Sequence, residues 1–200
     1  MDHTARFQTH QQFYATGCTR DAAYRRNALQ RLETAILRHE QEILAALHED
    51  LGKAAFEGFV TEVGLVLEEL KTAIGHVMRW SKPRRAPSPL VHFPSCSRIY
   101  PSPYGVVLIM SPWNYPFQLT MVPLIGAIAA GNVCLVKPSE YAPHTADVIQ
   151  VILSEVFPEE YVSVVRGGRA ANQSLLTLPF DYIFFTGSPT VGHVVMESAA

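Results

Sequence analysis

Cysteine is scarce: the three that occur, Cys18, Cys96 and Cys134, are far apart and belong to no CxxC or Cys/His ligand pattern. That argues against a disulfide framework or a zinc centre and favours a reducing, cytoplasmic compartment. The eight histidines form no HExxH pattern, so no metal is expected. An excess of positive charge is also missing. With a net charge of −2, the chain has no general attraction to nucleic acid or an anionic membrane. Its one basic cluster, Lys82, Arg84 and Arg85, sits among prolines without interleaved aromatics and reads as a solvated linker. The amino terminus lacks a basic stretch followed by an apolar one, so no secretory leader is expected. Nor is there an unbroken apolar span of bilayer length. Leu119 to Val136 comes near, but Pro123, Gly126 and Gly131-Asn132 interrupt it, and a helix followed by a strand fits better.

What is present is an ordinary globular composition, 48% apolar and 17% charged. Apolar or neutral residues recur at helical spacing through Tyr24, Ala28, Leu32, Ile36, Ile43 and Leu47, and Gly52 supplies a stop. A second period runs through Val60, Val63, Leu67, Leu70, Ile74 and Val77, so the spacing predicts two amphipathic helices. Six of the 14 prolines then fall between Pro83 and Pro103, an extended connection in which Arg98-Ile99-Tyr100 is a candidate edge strand. Beyond Tyr104, β-rich runs at 105–110, 133–136, 162–165 and 182–185 alternate with helical runs at 117–130, 145–156 and 172–176. This is the signature of an α/β domain with a parallel sheet, whose ligands bind at the carboxyl ends of the strands. The expected organisation is a helical region over 1–80, a proline-rich connection over 81–104 and a Rossmann-like domain over 105–200.

Chemistry-bearing residues follow the strands. The first run ends in Ser111-Pro112-Trp113-Asn114-Tyr115-Pro116-Phe117, the second in Lys137-Pro138-Ser139-Glu140, the fourth in Thr186-Gly187-Ser188-Pro189-Thr190-Val191-Gly192. Read singly, each is weak. Asn114 is then a turn amide, Lys137 and Glu140 are surface charges, and the aromatics are core. The spacing of Gly187 and Gly192 mimics a phosphate loop of the Walker type, but His193-Val194 stand where Lys and Ser or Thr are required, and no GxGxxG occurs. Together, Pro-Trp-Asn-Tyr-Pro-Phe, the Ala130 to Glu140 run and Phe-Phe-Thr-Gly-Ser resemble the aldehyde dehydrogenase superfamily, and most closely its fatty-aldehyde and aryl-aldehyde, class 3-like branch.

The resemblance implies NAD(P)-dependent, thiol-assisted oxidation of medium- or long-chain aliphatic or aromatic aldehydes to carboxylic acids, by a homodimer. Asn114 matches the family's oxyanion-binding asparagine, and Tyr115 is the candidate for an apolar aldehyde channel. Lys137 and Glu140 match positions that approach the adenosine ribose. The carboxylate disfavours a 2′-phosphate and so favours NAD, though this branch tolerates NADP. Gly187, Ser188 and Gly192 match the pyrophosphate turn. Two elements of the family pattern do not occur: Glu-Leu-Gly-Gly-Lys, which holds the catalytic glutamate, and Gly-Gln-x-Cys, which holds the nucleophile. Cys134 lies inside an apolar strand, where a thiol is inert packing. The 200 residues are therefore expected to be the amino-terminal part of such an enzyme and inactive alone; the alternative is a nonenzymatic cofactor-binding or assembly module of the same family. Sequence leaves membrane association open.

Overall fold

A computed structural model describes residues 3–200. Its helical part consists of α1 (His3–Ala15), α2 (Ala22–Arg38), α3 (Glu40–Leu51), the short α4 (Ala55–Gly58) and α5 (Gly64–Trp80). The Asp21 side chain accepts from the Ala23 N–H at 2.9 Å and starts α2, and Gly52, at φ 68°, ends α3 in the left-handed region. The expected pair of helices is thus corrected. The first period is broken between α2 and α3 at His39, whose two ring nitrogens are taken by Glu42 at 2.6 Å and Glu155 at 3.0 Å. The single non-helical residue interrupts the helix without disturbing the apolar spacing, so the periodicity runs on through the break. Helix α1 was not expected either.

A second departure lies between α4 and α5, where Phe59–Val63 form a π-helical turn. The extra residue per turn rotates the register: Val60 is exposed, whereas the consecutive residues Glu62 and Val63 are both fully buried. In the proline-rich connection, β1 (Arg84–Ala86) pairs antiparallel with β2 (Ser97–Ile99), one residue earlier than the expected edge strand.

The remainder alternates strictly: β3 (Val106–Met110), α6 (Gln118–Ala130), β4 (Val133–Lys137), α7 (Pro143–Val156), β5 (Val162–Val164), α8 (Arg169–Leu176), β6 (Tyr182–Phe185) and α9 (Pro189–Ala199). The four strands are parallel in the order β5-β4-β3-β6. All five residues of both β3 and β4 are buried, which accounts for their unbroken apolar runs.

Side chains alternate between the two faces. Val107 and Ile109 join the cluster formed with α2, α3, α5, α6 and α7, while Leu108 and Met110 join a smaller one with Leu175 of α8 and Val195 of α9. The connection leaving β3 therefore goes to one face and that leaving β6 to the other. These strands are neighbours, so the crevice outside their carboxyl ends is the topological switch point where ligands bind in open α/β sheets.

Candidate functional site

Three loops leave this edge, and ladder bonds beyond the strands tie their beginnings together. The Ser111 N–H donates to the Lys137 carbonyl at 3.2 Å and the Thr186 N–H to the Met110 carbonyl at 3.1 Å.

The loop after β3 is anchored from below. The Thr120 hydroxyl donates to the Pro116 carbonyl at 2.6 Å, so the Ser111 hydroxyl, 2.5 Å away, is the donor to Thr120. Beneath the next residues lies a buried ion pair, with Lys53 Nζ 2.5 Å from Glu62 Oε1. The other oxygen of Glu62 accepts from the backbone N–H groups of Phe117, at 2.8 Å, and Gln118, at 3.2 Å, so a carboxylate caps the positive end of α6. Lys53 also donates to the Asn114 carbonyl at 3.3 Å and sits 4.1 Å from the centre of the Tyr115 ring. Phe117 is core, whereas Trp113, Asn114 and Tyr115 are exposed. Asn114 bonds through its carbonyl, and its side-chain amide has no hydrogen bond among the described residues.

Lys137 ends β4 and is only 4% exposed, unlike a surface charge. Its ammonium donates to the Pro138 carbonyl at 2.8 Å. Burial lowers its pKa, Glu140 pulls it back up and Arg166 pushes it down. Glu140 is exposed, with its carboxylate against Gly168, where a Cβ would come 1.9 Å from Oε2. Lys137, Ser139, Glu140, Asn172, Phe185 and Val191 border a cavity of about 100 Å³. The buried Oδ1 of Asn172 has no partner there among the described residues. A ligand carrying hydroxyl or amine donors would meet an ammonium, a carboxylate and an unsatisfied carbonyl, so these residues fit the ribose end of a dinucleotide. A larger cavity, about 550 Å³ and bordered by Arg25, Trp80, Tyr100, Pro103 and Ala129, lies toward the amino ends of the strands, away from these groups.

The turn after β6 carries Gly187, where a Cβ would stand 2.5 Å from the Phe185 ring, a close approach that excludes any side chain while the ring holds its place. Ser188 Oγ accepts from the Val191 N–H at 3.4 Å and caps α9, with Pro189 in its first turn. The Gly192 face of the helix packs on the same ring, 3.6 Å from a built Cβ.

Lys137 and Glu140 therefore share one cavity, to which the turn bearing Gly187, Ser188 and Gly192 contributes through Phe185 and Val191. Asn114 and Tyr115 stand on the separate loop between β3 and α6. Cys134 is fully buried in β4, and burial alone pushes its thiol far up, away from the thiolate form. Among the described residues no acidic, histidine and cysteine cluster of metal-binding type occurs, and no helix is long and apolar enough to cross a membrane. Lys53, Glu62 and Asn172 were absent from the expected site. For Glu62 a signal existed: it lies on the face that continues through Val66, Leu70, Ala73 and Val77, where an acid is out of place.

Residues 9–200 match the model of the "Aldehyde dehydrogenase family". The chain is 45% identical over 195 residues to 4,4'-diaponeurosporen-aldehyde dehydrogenase of Staphylococcus aureus, covering 98% of this chain and 42% of that protein. It is 41% identical over 187 residues to aldehyde dehydrogenase family 3 member B1 of Homo sapiens, covering 94% and 40%. The substrate-bound structure of Staphylococcus aureus AldH superposes with a TM-score of 0.97 at 44% identity, covering 98% of this chain and 43% of that one. An NAD-dependent benzaldehyde dehydrogenase from Corynebacterium glutamicum gives 0.84 at 27%, with 98% and 42% covered. The chain thus spans about two fifths of the length of the relatives it matches.

Proposed function

The chain belongs to the aldehyde dehydrogenase family, and from that premise we propose that it supplies the cofactor-binding and oxyanion-stabilising residues for NAD(P)-dependent oxidation of apolar aldehydes to carboxylic acids. The observation that carries this reading is the convergence of three loops, bearing Asn114, Lys137 with Glu140, and Gly187 to Gly192, on one sheet edge at the switch point.

Bound NAD supplies the hydride acceptor. Toward it, Lys137 has N–H groups to spare beyond the bond to Pro138, and a buried ammonium gains from every hydroxyl that replaces lost water. Glu140 accepts from a ribose hydroxyl and repels a 2′-phosphate, which favours NAD over NADP. The capped start of α9 would present the positive end of the helix to the pyrophosphate. Asn114 has an amide with no partner among the described residues, free to donate to the aldehyde oxygen as attack places negative charge there. Tyr115 and Trp113, both exposed, offer aromatic walls to a medium- or long-chain aliphatic or an aromatic substrate. The three free cysteines support a cytoplasmic setting, and family likeness a homodimer.

The attacking thiolate and the base are expected from outside these residues: Cys134 is buried with its thiol held protonated, and neither Gly-Gln-x-Cys nor Glu-Leu-Gly-Gly-Lys occurs among them. The full-length chain is expected to reduce NAD with hexanal or benzaldehyde, and residues 1–200 alone to give no reduction above a heat-treated control. Turnover by residues 1–200 that survives Cys134→Ser would overturn this division of labour.

A further inference from the structure

The pair Lys53–Glu62 holds an unusual position. Each partner spends its charge twice, once on the other and once on the same backbone segment, at its two ends. Glu62 is fully buried and Lys53 nearly so. An ion pair this dry gains little net stability over an apolar replacement, because desolvation offsets the attraction. Its value therefore lies in what it orients. Glu62 Oε2 fixes the N–H groups of Phe117 and Gln118, the C-terminal anchor of the segment. Lys53 fixes the Asn114 carbonyl and the Tyr115 ring, its N-terminal anchor. The side chain of Asn114 has no hydrogen bond among the described residues, so what Lys53 holds is the backbone from which the amide projects.

We propose that Lys53 and Glu62 are positioning residues that preorganise segment 114–118 and so aim the Asn114 amide at the oxyanion. This rests on the reading of Asn114 given above. Glu62 stands on the buried face that continues through Val66, Leu70, Ala73 and Val77, which carries its carboxylate beneath α6. Preorganisation matters because a donor that must first be ordered gives back part of what it contributes in the transition state.

The test uses the full-length enzyme. The double variant Lys53→Met with Glu62→Gln removes both charges together, keeps the volumes, and leaves a glutamine oxygen for the α6 N–H groups, so it avoids a lone buried ion. Amide exchange at Phe117 and Gln118 should quicken by about tenfold, the difference between a charge-assisted and a neutral hydrogen bond. Single-turnover acylation should slow by about tenfold while the dissociation constant for NAD stays unchanged, since half an ångström of misplacement weakens an oxyanion contact but not a distant ribose site. The decisive reading is a cycle with Asn114→Ala. If the pair works through Asn114, adding the double variant to Asn114→Ala slows acylation no further. Multiplying losses, or exchange at Phe117 and Gln118 as slow as in the parent, overturns the proposal. If Asn114→Ala alone leaves acylation unchanged, the oxyanion reading fails and positioning stands or falls on amide exchange. If the double variant does not fold, Lys53→Met alone is taken through the same measurements on whatever fraction binds NAD, and parental exchange and acylation there refute the idea.

Discussion

The loop after β3 and the turn after β6 leave neighbouring strands at one sheet edge, yet they are held very differently. Two buried charged side chains, a Ser111–Thr120–Pro116 hydrogen-bond chain and the large cluster under α6 fix the first. At the far end of α6 the buried Arg25 guanidinium donates to the Ala129 carbonyl at 2.6 Å, so that helix is pinned at both ends. The turn after β6 has one long capping bond from an exposed serine, and Val195 is the single buried residue of α9. The contrast matches the two roles proposed for these segments. A group that meets charge in a transition state gains by being fixed beforehand, whereas a turn that admits and releases a dinucleotide belongs to the less stable part of a fold.

That contrast breaks if the two segments respond alike to mutation. The largest effect is expected at Glu62. Glu62→Ala strands the Lys53 ammonium in the core and uncaps α6, a loss of about 3 to 5 kcal/mol in urea unfolding. Ser188→Ala removes the cap of α9 at a cost of about 1 kcal/mol. Similar midpoints for the two variants would mean that the loop after β3 is no better anchored than the turn.

A pH series sharpens the same comparison, because the titrations that bear on folding lie on the helical side. His10 of α1 is buried, with Nδ1 2.9 Å from the Arg6 carbonyl and Nε2 3.1 Å from Ser163 Oγ; an Nδ1–H donor leaves Nε2 to accept from the hydroxyl. Burial lowers its pKa below 6.5, partly offset by that carbonyl, so the folded state keeps it neutral while the unfolded chain protonates it. Its contribution is present in full above about 6.5 and is lost as the pH falls through the folded-state value. His39 has the opposite sign. Hydrogen bonds to Glu155 and Glu42 raise its pKa, so its contribution is full below 6.5 and is lost as the pH rises through the raised value. Unfolding curves from pH 5 to 8 should therefore lose acid-side slope in His10→Gln and alkaline-side slope in His39→Gln. Unchanged curves in both would dissociate pH sensitivity from the helical layer.

The smallest effect concerns the cofactor end. Glu140→Gln removes a charge that is exposed and solvated, so it should narrow any preference for NAD over NADP by a few-fold and leave stability alone. An unchanged ratio of kcat/KM for the two cofactors would separate Glu140 from the 2′-position.

Sequence alone brought out the parallel sheet, because β3 and β4 are buried on both faces and 106–110 and 133–136 read as continuous apolar runs. It also brought out which loops share an edge, since parallel strands put every carboxyl end on one side. What it concealed was tertiary in origin. Helix α1 buries only Phe7 and His10 and is held by bonds such as Arg6 to the Val164 carbonyl, so its own residues carry little helical pattern. The break at His39 preserves the apolar spacing around it. The Lys53–Glu62 pair joins residues far in sequence from the motif it serves, so an acid on the buried face leading into α5 gave no hint of its partner. In the motifs themselves, the family resemblance marked Asn114, Lys137 and Glu140 as candidates, but the burial of Lys137 and the lack of a hydrogen bond at the Asn114 side chain among the described residues exist only in the folded chain.

The most direct test of the account is the acylation rate of Asn114→Ala in the full-length enzyme, followed by single-turnover kinetics with titrated active-site thiol. Loss of one preorganised donor should slow acylation by about 10²-fold to 10³-fold, on the order of 3 to 4 kcal/mol, with NAD affinity unchanged. A folded variant that acylates at the parental rate would reduce Asn114 to a turn residue and contradict the claim that this sheet edge stabilises the oxyanion.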